Sequence, residues 1–212
     1  MSKAPRPRKG ATKGAVSQVR VIAGSHRGRK LQFIDHGGDV RPSGDRLRET
    51  LFSWLQFELS GARVLDVFAG SGVLGAEALS RGASHCDLIE CVADRAMLMR
   101  DQLTAWFADR AQVHQHNAMT WLSQQVGRQP PFDVVFVDPP YDLGLAEPVC
   151  EILQRDGYLA EHAWVYVESR RQSPAPAVPI DWQLHREKSS GEVRACLYRV
   201  GPRQSQISPE LR

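Results

Sequence analysis

Phe132-Asp133-Val134-Val135-Phe136-Val137-Asp138-Pro139-Pro140-Tyr141 decides how the rest of the chain is read. The run up to Val137 is largely β-branched and aromatic, as expected of a strand covered on both faces of a parallel sheet. Pro139 and Pro140 then end it, because each fixes its own φ and lacks an N–H. Asp138 and Tyr141 are thereby held on a stiff corner at the strand's C-terminal end, the edge where open α/β sheets bind ligands. A planar base can stack on Tyr141 while Asp138 and the Pro139 carbonyl accept hydrogen bonds from its exocyclic amine. That arrangement suits methyl transfer to an amino nitrogen. The plain alternative is a tight strand-to-loop turn with an exposed tyrosine.

Working outward, apolar patterning predicts strands at 63–68, 85–90, 111–116, 132–138 and 163–168, with helices at about 72–81, 93–108, 118–126 and 143–155. Two more strands, at about 181–188 and 193–200, flank the turn Ser189-Ser190-Gly191. Repeated strand-helix units with short loops imply an α/β fold. Its seven-stranded sheet should be mostly parallel, with an antiparallel C-terminal hairpin.

The second informative stretch is Val64-Leu65-Asp66-Val67-Phe68-Ala69-Gly70-Ser71-Gly72-Val73-Leu74-Gly75. It runs from strand through a glycine-rich turn into a helix. Gly70 and Gly72 allow close approach to a ligand, and Gly75 allows the helix to pack tightly on the sheet. The G-x-G-x-x-G spacing alone fits a dinucleotide equally well. Three further residues favour S-adenosylmethionine. Asp66 can hold a methionine ammonium, Glu90 can bind ribose hydroxyls, and Asn117, followed by Ala118, can meet an adenine edge. Each has a structural alternative: Asp66 capping the helix, Glu90 pairing with Arg95, Asn117 capping the next helix. No set of hydride-transfer residues accompanies the turn, which counts against a nicotinamide enzyme.

The formal net charge of +3 hides an asymmetry: residues 1–50 carry 12 Lys and Arg against 4 Asp and Glu, leaving 15 against 20 in the rest. A basic arm on an acidic body is the footprint of a polyanionic partner. Residues 1–17 read as a disordered basic tail. Gln18–Ala23 and Lys30–Ile34 alternate polar and apolar residues around a glycine-containing turn, predicting a β-hairpin that carries Arg20, Arg27, Arg29 and Lys30. Phosphate contact is the functional reading of these cations, and a solvated flap the plain one. Ser43 is a candidate N-cap for a helix over Gly44 to about Leu59, with Leu47, Leu51, Trp54 and Leu55 as its apolar stripe. Arg41, Arg46 and Arg48 crowd its start, where cations are electrostatically disfavoured, and so suggest an anionic ligand.

A hydrophobic share of 42% with 24% charged residues suffices for a sizeable core, and 212 residues fit one α/β domain with a modest extension. The organisation reads as tail 1–17, hairpin-and-helix extension 18–60, catalytic domain 61–200 and polar tail 201–212. No apolar run has the ~20 residues of a membrane span and no signal-peptide core is visible, so a cytoplasmic protein is expected. Cys86, Cys91, Cys150 and Cys196 are too scattered for a zinc site or disulfide framework. His114 and His116 lack a third ligand, so no metal is expected. Nothing demands more than a monomer.

Taken together, Asp66–Gly72 and Asp138–Tyr141 resemble class I, S-adenosylmethionine-dependent amino-methyltransferases, a Rossmann-like family. Arg41–Phe52, Glu77-Ala78-Leu79-Ser80-Arg81-Gly82-Ala83, Tyr166-Val167-Glu168 and Leu184–Lys188 with Gly191 narrow the resemblance to the RsmD type, bacterial 16S rRNA guanine-N2 methyltransferases. It covers about residues 18–200, and Ser43 stands where that pattern carries Thr. The resemblance implies methylation of the exocyclic amine of one guanine, expected at position 966 of 16S rRNA, during ribosome assembly. Its partner is then 16S rRNA, the small subunit or an assembly intermediate. The Asp-Pro-Pro-Tyr corner does not separate guanine N2 from adenine N6, so a DNA adenine methyltransferase is the alternative enzyme. A non-catalytic RNA-binding assembly protein is the alternative outside catalysis.

Overall fold

The structure is a computed structural model that describes residues 14–40, 42 and 44–201. Most of the expected basic tail, most of the C-terminal tail, the Arg41 phosphate contact and the Ser43 cap lie outside the described residues. An antiparallel hairpin comes first, β1 (Ala15–Arg20) and β2 (Lys30–Asp35), paired from Ala15↔Asp35 to Arg20↔Lys30. Residues 15–17, assigned to the tail from composition, therefore belong to a strand, because their backbone is satisfied by β2.

The helix α1 (Asp45–Trp54) follows, shorter than its periodicity suggested: Gly44 is its N-cap, and the Leu55 N–H closes it on the Leu51 carbonyl. Leu47, Leu51 and Leu55 are buried as a stripe, and Trp54 packs partly buried beside them. Beyond α1 come β3 (Arg63–Asp66), α2 (Val73–Ser80), β4 (His85–Glu90), α3 (Ala93–Phe107), β5 (Ala111–Gln115) and α4 (Ala118–Gln124). Then come β6 (Phe132–Val137), α5 (Ala146–Arg155), β7 (Leu159–Arg170), β8 (Trp182–Ser190) and β9 (Val193–Val200). Strand β7 starts four residues before the expected 163, and α5 starts three after the expected 143, following a 3-10 turn at Tyr141–Leu143.

Seven strands form one sheet in the order β5-β4-β3-β6-β7-β9-β8. Pairings among β3 to β7 are parallel, and β9 runs antiparallel between β7 and β8. Adjacent strand residues point to opposite faces. Val64, Val134 and Tyr166 accordingly join the cluster under α1, α2 and α3, while Leu65, Val135 and Val167 join the one under α4 and α5. That double covering is why β6 reads as an unbroken apolar run. The chain leaves β3 for β4 on one side and returns to β6 on the other, so a crevice opens beyond the β3 and β6 C-termini.

The N-terminal hairpin is fastened to α2 by residues of the Glu77–Ala83 stretch. Glu77, with no exposed surface, accepts from Ile22 N at 2.7 Å, Ala23 N at 3.0 Å and Arg81 Nε at 2.8 Å. Ser80 Oγ donates to the Ala23 carbonyl at 2.6 Å, and the Ser80 carbonyl accepts from Ser25 N at 2.8 Å. Gly24 sits so close that a Cβ there would stand 2.0 Å from the Ser80 oxygen. Any side chain would lift the hairpin off the helix.

Candidate active site

A cavity of about 660 Å³ occupies the crevice, walled by the C-terminal ends of β3, β4 and β6 and by residues of the segment 38–44. Phe68, Ala69, Gly70 and Ser71 line it. Gly72 does not; it is the left-handed N-cap residue of α2, at φ 76°. Gly75 packs α2 onto β4, since a Cβ there would lie 2.5 Å from Leu88 Cδ2.

Asp66 lies beneath this turn rather than on the wall: it is 2% exposed, and its Oδ2 accepts from Gly75 N at 3.2 Å. The structural alternative for Asp66, helix capping, is thus realised. Burial pushes its carboxyl up to about 7 against the opposing Gly75 hydrogen bond, and the Glu90 charge adds to the rise.

Glu90, at the end of β4, is on the wall and accepts from Val92 N at 2.7 Å. Arg95 Nη1 approaches it at 3.4 Å, while Nη2 bonds Asp39 at 2.6 Å and Nε the Ile34 carbonyl at 2.9 Å. Arg95 therefore ties the hairpin and Asp39 to the cavity rim. Asn117 and Ala118 also line the cavity; Asn117 Oδ1 caps α4 by accepting from Thr120 N at 3.2 Å. Cys91, unlike the other three cysteines, is exposed, and it lies on this wall.

Asp138, Pro139, Pro140 and Tyr141 all face the cavity. Directly behind them stands Glu168, at the end of the neighbouring strand β7, a buried acid to which sequence reasoning gave no role. Tyr166 donates to its Oε1 at 2.7 Å and Tyr141 to its Oε2 at 3.3 Å. An acid ending an apolar strand beside the one that carries Asp138 was the available signal. Burial, then the charges of Glu168 and Asp66, hold the Asp138 carboxyl well above the usual carboxylate range. Burial, then the charges of Asp138 and Glu168, raise the Tyr141 phenol as well. Asp66, Glu90, Asp138 and Glu168 thus form a field of negative charge that a cationic ligand would relieve.

The cations expected to meet phosphate are not all where the sequence suggested. Arg20, Arg27, Arg29 and Lys30 are exposed and gather at the turn end of the hairpin, beside Ser80. That end lies one α2 length, about 12 Å at 1.5 Å per residue, from the cavity. Arg46 is exposed close to the rim. Arg48 is not available: it has no exposed surface, and its guanidinium donates to the Arg20 carbonyl at 3.0 Å and to Asp45 at 2.6 Å. Its crowding with Arg46 reflected a buried anchor between hairpin and helix rather than an anion site.

Residues 19–199 match the family described as conserved hypothetical protein 95. The chain is 46% identical over 183 residues to the ribosomal RNA small subunit methyltransferase D of Escherichia coli (strain K12), covering 85% of this chain and 89% of that one. The protein of the same name from Haemophilus influenzae is 40% identical, with 88% and 96% covered. The chain belongs to the RsmD-type methyltransferase family. A solved structure described as the putative methyltransferase yhhF from Escherichia coli superposes with a TM-score of 0.78 at 43% identity, over 87% of this chain and 99% of that one. Among the described residues no helix is long and apolar enough to cross a membrane.

Proposed function

We propose that this protein transfers a methyl group from S-adenosylmethionine to the exocyclic N2 amine of one guanine in small-subunit rRNA. The observation that carries the reading is the Asp138–Tyr141 corner facing a cavity whose buried acids repel one another. S-adenosylmethionine carries an ammonium and a sulfonium, and it fits that donor set. Glu90 and Asn117 would hold its ribose and adenine ends, the Phe68–Ser71 backbone its middle, and Asp66 would act on the ammonium through its field from beneath the turn. The cofactor supplies an electrophilic methyl group with a good leaving group already attached.

The protein's own residues prepare the amine. Its lone pair is delocalised into the guanine ring, which makes it a poor nucleophile. Asp138 and the Pro139 carbonyl accept its two N–H groups, favouring a pyramidal nitrogen and stabilising the charge that develops on it. Tyr141 stacks on the base, which must leave its own stack to enter. The hydrogen bond to Glu168 fixes the Tyr141 ring, and Pro140 removes freedom from the corner. With its carboxyl held high, Asp138 is also suited to take the proton that the methylated amine releases.

Transfer of labelled methyl to small subunits lacking the modification, free 16S rRNA and unmethylated DNA in parallel tests the reading. Labelled N2-methylguanosine is expected from one of the RNA substrates. N6-methyladenine in DNA would replace the reading with the DNA enzyme, and cofactor binding without any transfer would replace it with a non-catalytic assembly protein.

A further inference from the structure

A second depression, of about 640 Å³, lies between α1 and the tip of the β8–β9 hairpin. Arg46, Glu49, Thr50 and Trp54 line one wall, and Lys188 and Ser190 the other. It begins where the catalytic cavity ends: Gly44 and Glu192, which line that cavity, are each two residues from Arg46 and Ser190. Residues 46, 50 and 54 recur every fourth position and so share a face of α1, and residues 188 and 190 share a face of β8. Among the described residues neither Arg46 nor Lys188 is ion-paired, whereas Arg48 pairs with Asp45 and Arg194 with Glu187. The groove therefore presents two available cations on opposite walls, with the half-buried Trp54 indole further along the Arg46 wall. Thr50 and Ser190 add hydroxyls, and Glu49 adds one carboxylate.

Cations that track a backbone, interleaved with an aromatic face for a base, are what single-stranded nucleic acid requires. A base turned out of its stack into the catalytic cavity brings its flanking backbone to the cavity mouth, where this groove opens. We propose that the groove is a subsite for one nucleotide flanking the target in single-stranded RNA. The base lies on Trp54 and the phosphates lie between Arg46 and Lys188, with Glu49 accepting from a base amine. The inference rests on the rRNA reading above.

The test uses Lys188→Ala and Trp54→Leu in the full chain, with methyl transfer to unmodified small subunits measured across a salt series. Binding of S-adenosylhomocysteine is measured alongside. Lys188→Ala should make the dependence of log kcat/KM on log salt shallower by about 0.7, the value of one phosphate contact on a single strand. Trp54→Leu should raise KM about tenfold with kcat nearly kept, near the lower end of base-stacking losses. Both variants should bind S-adenosylhomocysteine as the wild type does. An unchanged salt slope in Lys188→Ala overturns the subsite, even if Trp54→Leu proves unstable. So does a loss in kcat alone. A wild-type protein that methylates no RNA overturns the rRNA reading itself, a different failure from variants that match an active wild type.

Discussion

Glu77→Ala removes the joint that fastens the hairpin and α1 to the methyltransferase sheet. The carboxylate satisfies the Ile22 and Ala23 amides at 2.7 and 3.0 Å and Arg81 at 2.8 Å, and it stands 4.0 Å from the Arg48 guanidinium. Both Glu77 and Arg48 are without exposed surface, so water cannot replace what is lost. Removing one partner of a buried charge pair costs about 3–5 kcal/mol, a figure that includes stranding the other charge. For a protein of this size that lowers Tm by roughly 10 °C. Urea unfolding followed by tryptophan fluorescence reads the loss directly, and Glu77→Gln, which keeps one acceptor oxygen, should lie between the two. A loss below about 1 kcal/mol, the level of a surface pair, would refute the assignment of Glu77 as the anchor.

Three further outcomes follow from the site and its surroundings. Asp138→Asn should lower kcat by about 10²–10³, the usual loss for one oriented hydrogen-bonding group, while calorimetry finds S-adenosylmethionine affinity largely kept. Glu168→Gln should move the acidic limb of the kcat/KM profile to lower pH, because removing that charge relieves one of the two repulsions that, after burial, raise the Asp138 carboxyl. Away from the site, burial would raise Asp87, but hydrogen bonds from His114 and His85 bring it down to about 2 from 3.8. A carboxyl lowered on folding stabilises the protein above its unfolded pKa, and that contribution disappears as the pH falls from about 4 to about 2. It amounts to about 2 kcal/mol, so acid unfolding of Asp87→Asn should be flatter in that window.

The sheet was legible because its central strands are buried on both faces, which leaves β-branched runs separated by amphipathic helices. Boundaries failed where tertiary contacts, not periodicity, set them. β1 extends to Ala15 because β2 offers a partner, and α1 stops at Trp54 although apolar positions continue to Leu59. The Asp138 corner was legible because two prolines leave the backbone little choice. Arg48 was misread because burial of an arginine depends on a carboxylate 29 residues further on, Glu77, which no local pattern reveals. Glu90 and Asn117 fulfil their structural alternatives while still lining the cavity, whereas Asp66 caps α2 from beneath it. Glu168 belonged to a stretch that marked the family resemblance but was given no role, and its place behind the corner became visible only with β7 beside β6.

The central claim is that the Asp138–Tyr141 corner presents a guanine N2 amine to the cofactor. Its most direct test is mass-spectrometric identification of the nucleoside that gains a labelled methyl in small subunits lacking the modification, treated with wild-type protein or Asp138→Asn. The account predicts one N2-methylguanosine, at guanine 966 of 16S rRNA, made by the wild type and nearly absent with the variant. A methyl on another base or ring position, or undiminished transfer by Asp138→Asn, would contradict it.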